Sequence, residues 1–370
     1  MHMADALISP AVGLAMDAVS AAAIGLSVAK VNKDEQGDKK IPMMGVAGAM
    51  VFAAQMINFA IPGTGSSGHI GGGVLLAGLL GGAPAFLSIT AVLIIQCLFF
   101  ADGGLLALGC NIFNMGVIPC LLVYPLVFKT LIRGRASLTR LTLASVISGA
   151  AALELGALCV TLQTLLSGVT ALPFGLFASL MLPIHLAIGL VEGVVTAAAL
   201  CFVYKARPEL IEATQSGLTR VARPELIEAT QSGLTRAARP GKGFSGSEDL
   251  GGAPTKKLLI VLVSLTILIG GILTMFASTR PDGLEWAIGK VRENTVGASV
   301  SGIAGAATAG VSASGITGGT AGASASGIAG AATGASASGI IGAAATFALA
   351  GATGAVISFI RKRKSADKKS

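Results

Sequence analysis

Residues 73–100 read GVLLAGLLGGAPAFLSITAVLIIQCLFF, an apolar stretch whose length decides how the chain is threaded through a membrane. As one helix it would be about 42 Å long, enough for a single tilted crossing, whereas two full crossings need about 60 Å. The sequence Gly-Gly-Ala-Pro at 81–84 interrupts it. We therefore expect a short hairpin or broken pair that returns to the side it left, with a short third segment, 73–81, shielded by protein.

The distribution of Lys and Arg supports this threading. With the N-terminus outside and a return at 73–100, all but three of the 26 basic residues face the cytoplasm, as the positive-inside rule requires. A single crossing there would turn the later basic segments outward. The prediction is an all-α, polytopic membrane helix bundle with about seven segments plus two accessory segments and its N-terminus outside. The other expected spans are 10–29, 41–61, 84–100, 112–132, 142–166, 174–204, 258–278 and 341–360.

The composition indicates a multi-pass protein of the cell membrane. The chain is 53% hydrophobic and 12% charged, which is about half the charged share of a soluble domain, so membrane lipid is the solvent for most of it. The net charge of +8 lies mainly on the cytoplasmic segments and gives no reason to expect nucleic acid as a partner. The first residues lack the positive region of a signal peptide, and we expect the mature protein to keep Met1.

Composition also divides the chain. Residues 1–205 form the expected membrane domain, and 206–257 a cytoplasmic linker in which 207–220 recurs at 223–236. A second membrane domain is expected at 258–360, with a flexible external insert of Gly, Ala and Ser at 297–340. A basic cytoplasmic tail, 361–370, ends the chain. A single duplication is too little for a repeat fold.

Two of the three histidines, His2 and His69, share the external face in this topology. A free N-terminus followed by His offers three nitrogens in sequence, namely the Met1 α-amine, the His2 amide and the His2 imidazole, which close two fused chelate rings around a metal. His69 is the candidate for the fourth position. Four nitrogens in a plane favour Ni²⁺ or Cu²⁺, and binding through the amide should weaken as pH falls. Spacing alone leaves open that the Met-His start is chance or a cloning scar.

The loop around His69 is rich in glycine. Gly63 to Gly68 has the spacing of a phosphate-binding loop, but His69 and Ile70 replace the required Lys and Ser or Thr, which excludes a nucleotide site. The glycines instead allow a close approach to the N-terminus. Candidate hydrogen-bond donors that support the ligands are Asn58, Ser66 and Ser67.

Three ionisable residues fall inside expected spans. His185 and Glu192 lie seven residues apart on one helix, and Glu154 lies on the preceding helix. Intramembrane ionisable groups are functional candidates, although a structural hydrogen-bond network explains them equally well.

At this point the sequence resembles the CbiM/NikM substrate-capture subunits of energy-coupling factor transporters for cobalt and nickel. The resemblance rests on Met1-His2-Met3 with Pro10, on residues 62–73 (PGTGSSGHIGGG), on 100–116 (FADGGLLALGCNIFNMG) and on His185 to Gly193. It implies that Met1, His2 and His69 hold Ni²⁺ or Co²⁺ as the transported substrate. It also implies a transmembrane coupling subunit and two separate ATPase subunits, since this chain has no Walker motif.

Residues 281–286, PDGLEW, resemble the signature of the small accessory N component of these transporters, here fused behind the first domain. Seven segments plus two give the nine that charge indicates. The fused accessory part and the planar nitrogen set both favour nickel.

Ala11, Ala15, Ala18 and Ala22 lie on one face of the first helix, where small residues permit close helix contact. This stripe either packs inside the protein or, as the resemblance implies, docks on the coupling subunit. Two rival functions stay open: a self-sufficient proton-coupled carrier that uses His185, Glu154 and Glu192, and a metalloenzyme. We expect no enzymatic activity.

Overall fold

A computed structural model describes residues 1–34, 37–133, 137–212, 263–264, 266–269, 277–306 and 343–348. Its helices are α1 (Pro10–Lys33), α2 (Gly37–Gln55), α3 (Gly73–Leu80), α4 (Gly82–Phe100), α5 (Leu108–Leu131, π-helical over Phe113–Phe128), α6 (Leu138–Ser167), α7 (Phe174–Ala206) and α8 (Gly283–Ala306). Single 3-10 turns occur at Asp5–Leu7 and Pro208–Leu210. Among the described helices, α1, α4, α5, α6 and α7 are long and apolar enough to cross a membrane.

The stretch 73–100 is two helices, as its length and charge pattern predict. Gly81 separates α3 from α4 with a φ of 87°, a backbone conformation that residues with a Cβ rarely adopt. Every residue of α3 is buried, and α3 packs against α4, α5 and α7. A helix of eight residues is too short to span a bilayer, and here protein surrounds it, as expected. The number of crossings and the side of the N-terminus stay predictions.

A small β-hairpin follows α2. Strands Phe59–Ala60 and Ser67–Gly68 pair antiparallel, with Phe59 opposite Gly68 and Ala60 opposite Ser67. The hairpin ends directly before His69. It also explains one error in the predicted spans, because α2 ends at Gln55 and the chain is extended where we expected helix up to residue 61.

α1 is the most exposed of the five long apolar helices, with 17% of its apolar window buried. It begins after Ser9, whose hydroxyl accepts a hydrogen bond from the Val12 amide, and Pro10 occupies its first turn. Its buried residues, Gly13, Ser20, Ser27 and Val31, follow a spacing of seven, seven and four and form one stripe. At 100° per residue this stripe is on the side opposite Ala11, Ala15, Ala18 and Ala22, which are all exposed.

The C-terminal part of the chain is described only in pieces, and one of these departs from expectation. α8 continues to Ala306, so residues 297–306 are helical, whereas we expected a flexible insert to begin at 297. Alanine and serine are compatible with helix when a helix already precedes them. Residues 307–340, the duplicated copy at 223–236 and most of the expected spans 258–278 and 341–360 lie outside the described residues.

Candidate metal site at the N-terminus

The first residues of the chain insert into the bundle. Met1 and Met3 are buried, and the Met1 side chain packs against Gly156 of α6. The Met3 amide donates to Asn111 Oδ1 at 2.8 Å, and the Met3 carbonyl accepts from Asn111 Nδ2 and from the Gly104 amide. Asp5 Oδ1 accepts from the Ala107 amide at 3.0 Å. The 100–116 segment therefore fixes the N-terminal backbone at a defined place.

A carboxylate of α7 holds the loop that carries His69. The Gly71 and Gly72 amides donate to Glu192 Oε2 and Oε1 at 2.8 and 3.0 Å. His69 Nδ1 lies 3.1 Å from the Ile70 carbonyl, which only accepts, so Nδ1 carries the proton and Nε2 offers a lone pair. Glu192 therefore takes part in a structural hydrogen-bond network, which was one of the two roles that the sequence left open for it.

The loop and the N-terminus meet. The Met1 α-nitrogen lies 3.5 Å from His69 Nε2, and the His2 and His69 rings are stacked with centroids 5.2 Å apart. The three residues predicted as ligands are thus neighbours, although 67 residues separate His2 from His69. Within the part of the chain that the structure describes, no three His, Cys, Asp or Glu side chains are arranged to hold a metal. A metal held by three or more protein ligands at this place would therefore also need the nitrogens of the N-terminus.

Two glutamines orient the His2 ring. Gln55 Nε2 donates to the Gly71 carbonyl at 2.7 Å, which turns Gln55 Oε1 toward Gln96 Nε2, also at 2.7 Å. Gln96 Oε1 then faces His2 Nε2 at 3.1 Å and can accept a hydrogen bond from it. When the proton is on Nε2, the other ring nitrogen, Nδ1, can bind a metal through its lone pair. Nδ1 is also the nitrogen closer to the main chain, which closes a chelate ring with the His2 amide.

Two carboxylates lie beside the predicted ligands. Asp102 Oδ1 lies 3.2 Å from His2 Nδ1. Asp282, from the PDGLEW segment, places Oδ2 3.1 Å from the Met1 α-ammonium, while its Oδ1 accepts from the Glu285 amide and caps α8. Burial alone would raise the pKa of Asp282, but the adjacent α-ammonium holds that pKa well below its usual range. The cluster therefore contains a partly buried, ionised acid aimed at the N-terminus.

Burial keeps both imidazoles neutral. Burial, with a smaller contribution from the α-ammonium, lowers the pKa of His69 to about 4. The pKa of His2 is also lowered, again mainly by burial and against the effect of Asp102. A neutral imidazole has the free lone pair that a metal requires.

Of the three residues expected to support the ligands, Ser67 and Asn58 bond residues of the segment 278–281, and Ser66 bonds its neighbour Ser67. The Ser67 amide donates to the Pro281 carbonyl at 2.8 Å, and the Ser67 hydroxyl donates to the Arg280 carbonyl at 2.7 Å. The Asn58 carbonyl accepts from the Ser278 amide at 2.6 Å, and the Ser66 hydroxyl donates to the Ser67 carbonyl. Trp286 Nε1 adds a bond to the Thr64 carbonyl. These contacts fix the accessory segment over the hairpin.

The amino-acid sequence of the membrane domain matches a known family. Residues 2–210 match the CbiM family, described as the cobalt uptake substrate-specific transmembrane region. The chain belongs to this family. Residues 256–359 match the PDGLE domain, so a CbiM part and an accessory part are joined in one chain.

Relatives and a solved structure agree with this assignment. The chain is 38% identical over 213 residues to a putative metal transport protein of Haloquadratum walsbyi, which covers 57% of this chain and 93% of the relative. It is 34% identical over 219 residues to a putative fused nickel transport protein NikMN of Archaeoglobus fulgidus, covering 57% and 68%. A crystal structure of a transition metal transporter superposes with a TM-score of 0.50 at 29% identity, over 56% of this chain and 95% of that one. This member of the CbiM family is a multi-pass membrane protein.

Sequence reasoning missed four residues of the site: Gln55, Gln96, Asp102 and Asp282. Gln55 and Gln96 were visible as lone amides in apolar segments, a composition that demands a hydrogen-bond partner. Asp102 and Asp282 stand inside motifs that we noted, but their proximity to residues 1 and 2 depends on how distant segments fold together.

Proposed function

We propose that this chain is the substrate-specific component of an energy-coupling factor importer that captures Ni²⁺, or Co²⁺, from outside the cell. The metal is the cargo, and the chain carries out no chemical conversion. The ligands are the Met1 α-amine, the His2 amide nitrogen, His2 Nδ1 and His69 Nε2. The names of the relatives, which refer to nickel and cobalt transport, support this cargo.

The observation that carries the proposal is the insertion of the N-terminus beside His69. Two neutral imidazoles and an amine at 3.5 Å from His69 Nε2 form a nitrogen-rich site without a sulfur ligand. This donor set suits Ni²⁺ and is poor for Mg²⁺ or Ca²⁺, which prefer oxygen.

Energy for transport would come from partners. A transmembrane coupling subunit and two ATPase subunits complete the importer in this proposal. The exposed stripe of Ala11, Ala15, Ala18 and Ala22 supports a docking face on α1, because internal packing uses the opposite side of this helix. In this scheme 1–205 captures the metal, 206–257 links the two membrane parts, and 258–360 with the basic tail 361–370 forms the accessory part.

The test is to add one residue before Met1. The α-amine moves away and the former amine becomes an amide, so the tight Ni²⁺ site should be lost while the purified chain still folds. The same residue added after Ser370 is the matched control. His2→Ala and His69→Ala should each weaken Ni²⁺ binding by about 100-fold or more. Unchanged affinity in the chain extended before Met1 would refute this site.

A further inference from the structure

His185 of α7 has one ring nitrogen without a partner in the interior. The side chain is 1% exposed. Its Nδ1 lies 2.8 Å from the Met181 carbonyl and is therefore the protonated nitrogen of the neutral ring. Nε2 thus offers a lone pair, yet among the residues that the structure describes no group donates to it. Buried polar atoms normally have a partner, so this one calls for an occupant.

A small cavity adjoins this imidazole. It encloses about 10 Å³, and its lining includes Met1, His69, His185, Asp282 and Gly283. A Cβ at Gly283 would lie 2.9 Å from His185 Cε1 and 3.3 Å from Nε2, so glycine keeps this edge of the ring open. The volume suits a single water molecule or a bare metal ion and no organic ligand. The unpartnered nitrogen and residues of the cargo site therefore line one small cavity.

The charges around this cavity favour a cation. Asp282 contributes a carboxylate, and His69 and His185 contribute imidazole nitrogens. The only positive group that contacts this carboxylate in the described structure is the Met1 α-ammonium, at 3.1 Å. Imidazole and carboxylate together bind Ni²⁺ and Co²⁺, but with fewer ligands and a lower affinity than a closed plane of four nitrogens.

We propose that His185 Nε2 and the Asp282 carboxylate form a second, weaker stop for the transported metal, beside the capture site. The inference rests on the proposed function and adds a step to it. A cation enclosed by two fused chelate rings leaves slowly unless another donor accepts it. His185 supplies that donor from α7, and the metal exchanges ligands with no change in oxidation state.

The test separates capture from transfer with His185→Gln and His185→Leu in the full chain. Gln keeps a polar side chain at this position. Leu fills a similar volume without any polar atom, so it gives a second variant if the Gln variant does not fold. Both variants should bind the first Ni²⁺ within about threefold of the unmodified chain, while uptake of radioactive nickel by cells that carry the whole transporter falls at least about tenfold. Thr164→Val is the control, because Thr164 is also buried without a partner in the described structure but lines a different cavity.

A direct binding measurement completes the test. In the chain extended by one residue before Met1, a weak Co²⁺ site should remain, detected by its visible absorption, and His185→Gln in that background should remove it. Wild-type uptake in both His185 variants, or no residual site in the extended chain, would overturn the second stop. An equal loss of capture and uptake would also overturn it, since His185 would then belong to the first site. If the unmodified chain fails to bind Ni²⁺ tightly, the proposed function itself falls.

Discussion

Gln96 connects the His2 ring to a chain of hydrogen bonds that ends at the Gly71 carbonyl. This chain of hydrogen bonds places an acceptor at His2 Nε2, so a ring that binds a metal through Nδ1 can keep its proton on Nε2. Gln96→Leu removes the acceptor and should weaken Ni²⁺ binding about tenfold, the usual effect of losing a partner that orients a ligand. Isothermal titration of the purified chain measures it. Gln163→Leu is the control, since Gln163 is a buried amide that pairs with Asn114 and not with His2. Equal losses in both variants would contradict the orienting role.

Asp282 supplies a negative charge to the proposed metal site. In the empty site its carboxylate pairs with the α-ammonium; in the loaded site the divalent metal and the deprotonated amide leave one positive charge for the same carboxylate. Asp282→Asn keeps the helix cap but removes this charge, and we expect Ni²⁺ affinity to fall about tenfold. Glu285→Gln, an exposed change in the same segment, should have no effect. Tighter binding by Asp282→Asn would show that the carboxylate instead competes with the metal for the amine.

The loop of residues 69–72 depends on α7 through one carboxylate. Glu192→Ala leaves the Gly71 and Gly72 amides buried without an acceptor, and it should lower the free energy of unfolding by about 2–4 kcal/mol. Glu192→Gln keeps one acceptor oxygen and should lose less. Thermal unfolding in detergent gives the comparison. A proton-relay role predicts the reverse pattern, in which Gln keeps full stability but abolishes transport.

The alanine face of α1 gives a prediction about assembly. Ala15→Leu or Ala18→Leu places a bulky side chain on the exposed stripe and should reduce co-purification with the coupling subunit and lower uptake. Ni²⁺ binding by the isolated chain should survive. Ala21→Leu, exposed on another side of the same helix, is the matched control. If the stripe variants lose metal binding yet still co-purify, the docking face lies elsewhere.

The whole molecule is threaded so that the PDGLEW segment meets the N-terminus, and both should face outside. We expect the Glu285→Cys variant, in a chain without its five native cysteines, to react with a membrane-impermeant thiol reagent added to intact cells. The Glu285 side chain is exposed. The hydrogen bond from this residue to Asp282 comes from its backbone amide, which a cysteine would keep. Labelling that requires permeabilised cells would invert the predicted topology. Native uptake activity of the cysteine-free chain is the necessary control.

Hydropathy and charge were sufficient for the multi-pass class and for the interruption of 73–100, because both depend on local composition. The Met1, His2 and His69 neighbourhood followed from ligand chemistry and a family resemblance. The contacts of Gln55 and Asp282 were not predictable in this way, since they join segments up to 281 residues apart and no periodicity records such a pairing. The helical extension to Ala306 was missed because Gly, Ala and Ser composition was taken as evidence for a linker.

The contact between Asp282 and Met1 acquires another meaning because both belong to one polypeptide. An accessory subunit made separately would reach the site by diffusion in the membrane, and its occupancy would vary with the amounts of the two proteins. Covalent connection replaces this bimolecular encounter by a high effective concentration. Each proposed metal site then has its own carboxylate at a fixed one-to-one ratio, because both parts are made in the same amount.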